Sequence, residues 1–115
     1  MKIEARQLIG ENALTVQAGQ SIYDRIYPEL AAGHAVELDF EGVRLFSAPF
    51  LNTAIGQLYK DLDAEQLSRL LIIANLAPYA RGSLNSVVAN AKRYYSDPVY
   101  RAAEDAVISK LSQEG

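Results

Sequence analysis

Apolar and polar residues alternate strictly at residues 36–40, where Glu37 and Asp39 separate Val36, Leu38 and Phe40. A two-residue period of this kind predicts a strand with one apolar face, and Gly42 ends it. Ile3, Ala5 and Gln7 alternate in the same way near the start of the chain. Gly10-Glu11-Asn12 then supplies a turn before the short apolar run of residues 13–16, so the pattern predicts an antiparallel β-hairpin here. The run Leu70-Leu71-Ile72-Ile73-Ala74 is apolar throughout, the signature of a strand covered on both faces and therefore central in its sheet.

Helical spacing occupies the intervals between these strands. Ile22, Ile26 and Leu30 mark one face of a helix from Ser21 that Gly33 should stop, with Pro28 expected to kink or split it because proline lacks an N–H and clashes with the preceding turn. Leu51, Ala54, Ile55, Leu58 and Leu62 predict a second helix. It begins near Ser47-Ala48-Pro49, where serine can cap and proline is tolerated in the first turn. Leu84, Val87, Val88 and Ala91 predict a third, with Tyr94 and Tyr95 at its end. Asp97-Pro98 opens a fourth that carries Val99, Ala103, Ala106, Val107 and Leu111.

The expected order is thus ββαβαβαα, an α/β fold with a mixed four-stranded sheet, an N-terminal hairpin, a right-handed βαβ unit and about four helices. At 115 residues the chain has the size of one domain, and 50 % apolar residues suffice for its core. In open α/β sheets, ligands and partners bind beyond the carboxyl ends of the strands, which directs attention to the links at residues 41–48 and 75–83.

Composition narrows the chemistry. A net charge of −3 with 22 % charged residues does not suit a general polyanion binder, and without cysteine there is no disulfide, thiolate metal site or cysteine nucleophile. The amino terminus lacks the apolar stretch of a secretory signal, and no run approaches the roughly 18 apolar residues of a membrane span, so a cytoplasmic protein is expected. Phosphate loops, nucleophile elbows, zinc-binding helices and calcium loops are all missing, which argues against an enzyme and implies no cofactor.

A few residues still invite a chemical reading. Asp39 and Glu41 could pair as acid and base or hold a cation, but a carboxylate at this point more often accepts hydrogen bonds from the amides of the next turn. His34, the only histidine, sits in a turn, with neither a nucleophile nor an orienting carboxylate evident from the sequence. Lys92-Arg93-Tyr94-Tyr95 combines cations with rings that can stack bases, yet it reads better as a solvated helix end. Arg81-Gly82 offers one anion contact near the strand ends.

The phrase Val36-Glu37-Leu38-Asp39-Phe40-Glu41-Gly42-Val43, followed by Leu45-Phe46-Ser47-Ala48-Pro49-Phe50, resembles the STAS-like family. The related STAS fold is known from anti-sigma factor antagonists and from cytoplasmic domains of sulfate transporters. In the antagonists, a serine opening the corresponding helix is phosphorylated by a kinase that is also the binding partner. The resemblance makes Ser47 the candidate phosphorylation site, although the antagonists carry an Asp-Ser-Ser-Gly type phrase where this chain reads Ser47-Ala48-Pro49-Phe50. It implies a protein-interaction module of bacterial signalling whose partner is a kinase-like ATPase or regulator, with a homodimer left open. The expected contact residues are Asp39, Glu41, Arg44, Ser47, Phe50, Asn52, Asn75 and Arg81. The competing reading is an anion or small-molecule sensor, or a minor enzyme, using Asp39 and Glu41. Nucleic-acid binding through Lys92 to Tyr95 ranks lower.

Overall fold

A computed structural model of the chain describes residues 1–96. Among them are two small parallel sheets and five α-helices. Strands β1 (Lys2–Glu4), β3 (Val36–Asp39) and β5 (Leu71–Ala74) form the larger sheet in the order β1-β3-β5, and β2 (Asn12–Ala13) pairs with β4 (Leu45–Phe46) in the smaller one. Ile3, Leu38 and Ile73 share one register row, as do Val36 and Leu71, and these apolar side chains belong to the core.

The expected N-terminal hairpin and four-stranded sheet are both absent from the described residues. Lys2–Glu4 pairs parallel to Val36–Asp39, and Asn12–Ala13 pairs parallel to Leu45–Phe46, so the first segment runs alongside the third strand and its following loop. Between the two pairings lies α1 (Ala5–Ile9), which the alternation of Ile3, Ala5 and Gln7 concealed. Gln7 is exposed, whereas Ala5 is buried and Ile9 packs on the core, a four-residue spacing that is helical. Gly10, at φ 78°, closes this helix.

Helix α2 (Val16–Ala31) starts five residues earlier than the apolar spacing implies. Thr15 caps it by accepting a hydrogen bond from the Ala18 amide at 3.0 Å. It continues across Pro28 without interruption. Asp24, whose carbonyl would otherwise pair with residue 28, and Pro28 itself both lie on the exposed side, where water can serve that carbonyl. Gly33 does stop the helix: at φ 86° it completes a Schellman turn in which His34 N–H donates to Glu29 O and Gly33 N–H to Leu30 O.

The connection from β3 to β5 is also more elaborate than one helix. It carries β4, α3 (Ala48–Ala54), a 3-10 turn (Gly56–Lys60) and α4 (Ala64–Leu70), so the predicted helix to Leu62 is broken after Ala54. Nor is β5 central. It borders the sheet beside β3, and Ile72 on its outer face is 51 % exposed, so its continuous apolar run is not matched by cover on both faces among the described residues. Helix α5 (Arg81–Ser96) follows a 3-10 turn at Pro78–Ala80, as its apolar stripe predicts. The helix expected to begin at Asp97-Pro98 lies outside the described residues.

Helices α2 and α3 meet at Gly19. A Cβ there would stand 2.8 Å from both Phe50 O and Thr53 Cβ, so only a bare backbone permits this approach. Ile22, Ile26 and Leu30 extend the same buried stripe. Gly19→Ala should therefore destabilise the protein by about 1–3 kcal/mol through overpacking, outweighing the up to ~1 kcal/mol that alanine gains in helix propensity. Gly82→Ala in α5, where nothing lies within 4 Å of the new methyl, should instead leave stability equal or raised by a few tenths of a kcal/mol. Urea denaturation of the two variants checks the contrast.

Candidate functional site

Asp39 ends β3 with its side chain only 2 % exposed. Its Oδ1 accepts from the Glu41 amide and from Asn75 Nδ2, each at 2.9 Å, and Oδ2 lies 3.4 Å from Lys2 Nζ. One carboxylate thus ties together β1, the turn after β3 and the residue after β5. Asn75 reaches back because it adopts φ 55°, a left-handed conformation that asparagine tolerates better than most residues. The hydrogen bond from Asn75, followed by that from the Glu41 amide, outweighs burial and holds the Asp39 carboxyl below its ordinary 3.8; Lys2 adds to the effect. Asp39 reciprocally raises the Lys2 ammonium above 10.5.

The loop after Asp39 turns at Gly42, φ 81°, over which Arg6 lies: a Cβ at this position would come within 2.7 Å of Arg6 Cδ. A concavity of about 410 Å³ opens here, lined by Glu4, Arg6, Gln7, Asp39 and Glu41. Its one buried carboxylate is already engaged on both oxygens. Among the described residues, no three His, Cys, Asp or Glu side chains gather so that they could hold a metal ion.

Further along, Ser47 caps α3 as its position predicts. Its Oγ accepts from the Phe50 amide at 3.2 Å and donates to Leu14 O at 2.7 Å, joining the helix start to the end of β2. The link after β5 is fastened to the same region by Tyr79. Its hydroxyl accepts from the Phe46 amide at 3.1 Å and donates to Arg44 O at 2.6 Å, while its ring meets Phe46 edge to face. Phe40, Phe46 and Phe50 pack edge to face behind these contacts. The links at 41–48 and 75–83 do lie side by side.

Glu41, Arg44, Asn75 and Arg81 are exposed at or beside these links, and Ser47 is partly so. Asp39 and Phe50 are buried, so neither can present a surface to a partner; they hold the backbone that does. Asn52 stands apart, lining a cleft between α3 and α5. His34 is exposed as expected, yet its Nδ1 lies 2.9 Å from Glu29 Oε2, a carboxylate that the Schellman turn brings near and the linear sequence did not suggest. Tyr79 was not singled out by sequence reasoning. Its signal was modest: an aromatic residue after a proline in the link that follows a parallel strand.

A family model for a STAS-like domain of unknown function (DUF4325) matches residues 18–80, more than half of the chain. The chain belongs to this family. The match runs from α2 through the turn that carries Tyr79, so the STAS-like segment contains both links, Asp39 and Asn75. The strands β1 and β2 that pair with it precede the match, apart from α5 the main elements outside it. Searches of curated proteins and of solved structures find no match. No helix among the described residues of this STAS-like domain is long and apolar enough to cross a membrane.

Two outcomes test the site's internal logic. Because the Asp39 carboxyl is lowered in the folded state, its contribution to stability is complete above 3.8 and is lost as pH falls through the lower folded value. Chemical denaturation between pH 2 and 7 should show Asp39→Asn less stable than wild type at neutral pH, with a flatter acid limb. Tyr79→Phe should cost about 1 kcal/mol, since it leaves the Phe46 amide without its acceptor.

Proposed function

We propose that this STAS-like domain is a non-enzymatic protein-interaction module of bacterial signalling, docking a kinase-like ATPase or another regulator through the seam where the two links meet. The observation that carries this reading is the exposure of large apolar side chains around that seam. Leu14 is 42 % exposed, Val16 52 %, Leu45 49 % and Tyr79 61 %. Leu14 O is bonded to Ser47, Leu45 belongs to β4 beside it, and the Tyr79 hydroxyl clasps the backbone on either side of Leu45. Single exposed apolar residues are ordinary, but several on backbone stitched together by long-range hydrogen bonds suit a docking surface, because little ordering remains to be done on binding.

The alternative of a sensor or minor enzyme using Asp39 and Glu41 receives less support. A general acid or base needs a carboxylate with a free oxygen and a pKa moved toward neutrality, whereas Asp39 is engaged by three donors and shifted the other way. Phosphorylation of Ser47 belongs to the interaction reading as its regulatory step. A phosphate on Oγ would break the bond to Leu14 O and add close to two negative charges between β2 and α3. It would thereby alter the docking surface at its centre.

The test is affinity capture with the tagged full chain from its native host, comparing wild type with the double variant Leu14→Glu, Leu45→Glu. Both positions are exposed, so the variant should keep its thermal midpoint within a few degrees while losing a kinase-like ATPase or regulator that wild type retains. An identical set of captured proteins for the two would overturn the assignment of this surface.

A further inference from the structure

The cleft between α3 and α5 differs in chemistry from the docking seam. It has a volume of about 460 Å³, within the range of small-molecule sites, and Asn52, Gln57 and Asn90 line it together with Tyr94 and Tyr95. Gly56 and Ala91 supply the rest of its lining, one from each side. No charged residue borders it. Other concavities in the chain are lined by ionisable groups: Glu4, Arg6, Asp39 and Glu41 in one, Asp63 and Lys92 in another.

A lining without charge offers nothing to a phosphate, carboxylate or ammonium, but three carboxamides offer paired donors and acceptors in a plane. Gln57 is held in place, its Nε2 donating to Thr53 O at 2.8 Å and to Gln20 Oε1 at 3.2 Å. The Asn52 and Asn90 carboxamides have no hydrogen-bond partner among the described residues. Tyr94 and Tyr95 stand edge to face, with ring centroids 4.8 Å apart. Carboxamides beside aromatic rings match one class of ligand well: a planar heterocycle read along its edge by amide hydrogen bonds and held by its face.

We propose that the α3–α5 cleft is a binding site for a neutral planar heterocycle of the nucleobase or nucleoside class. Asn52 and Asn90 read its hydrogen-bonding edge, and the tyrosine pair packs against its ring. This site is independent of the docking seam, and its occupancy does not depend on the interaction reading.

Titration of the full chain with adenosine, followed by backbone amide NMR, tests the site. Adenosine should perturb the amides of Gly56 and Ala91, and Asn52→Ala, Asn90→Ala should weaken it at least about tenfold with an unchanged thermal midpoint, both side chains being exposed. Caffeine, a purine without N–H donors, should bind at least about tenfold more weakly, as should methyl glucoside, which has no planar ring. Absence of these amide shifts at millimolar adenosine would overturn the proposal. So would equal binding of caffeine or methyl glucoside, or indifference to the double substitution. ATP binding tenfold more tightly than adenosine would overturn the assignment of a neutral ligand.

Discussion

The buried carboxylate of Asp39 is the constraint on which the arrangement of this domain depends. Parallel strands leave their carboxyl ends open, and the chain must be told where to go next without the help of a tight hairpin. Here one side chain takes hydrogen bonds from the turn that follows its own strand and from Asn75 after the neighbouring strand, while Lys2 of the opposite neighbour supplies a counter-charge. A neutral side chain of the same shape could accept from the two amides but would forgo the attraction to Lys2. The carboxylate therefore fixes three strand ends at once, and the loops diverge from a defined point.

From that point the second tier of contacts follows. Gly42 turns the chain under Arg6, β4 pairs with β2, and Ser47 joins the start of α3 to Leu14. Tyr79 closes the ring from the other side through two backbone hydrogen bonds. The N-terminal segment is essential to this frame although it precedes the family match, because it supplies β1, β2, Lys2 and Leu14. The STAS-like segment alone contains the links but not the strands that flank them.

How much of this was legible in the sequence depended on whether the deciding interaction was local. Ser47 and Gly33 were readable because capping by a side chain and termination by a left-handed glycine act within a few residues. The bond from Asp39 to the next turn was readable for the same reason, and the element order placed the two links together. The hairpin was misjudged because alternation at Ile3, Ala5 and Gln7 cannot reveal a strand partner 35 residues away, nor show that the pattern changes to a helix at Ala5. The run at residues 70–74 predicted a strand correctly but not its neighbours, since hydrophobicity reports burial potential and sheet order is a tertiary matter. Gly19 looked like a weak helix residue; its value lies in the backbone of α3 that it admits.

The same geometry separates binding from catalysis at the strand ends. Catalytic groups are costly to a fold because they must be held without being satisfied, waiting for a substrate to complete their hydrogen bonds. Around this seam the reverse holds: both Asp39 oxygens, the Ser47 hydroxyl and the Tyr79 hydroxyl are each committed to neighbouring protein atoms. Polar groups have been used to fix backbone, and the groups left facing outward among the described residues are chiefly apolar side chains and the flexible charges of Glu41, Arg44 and Arg81. An apolar centre with a charged margin on rigid backbone is the composition of a protein contact surface, where desolvation supplies affinity and the rim supplies orientation.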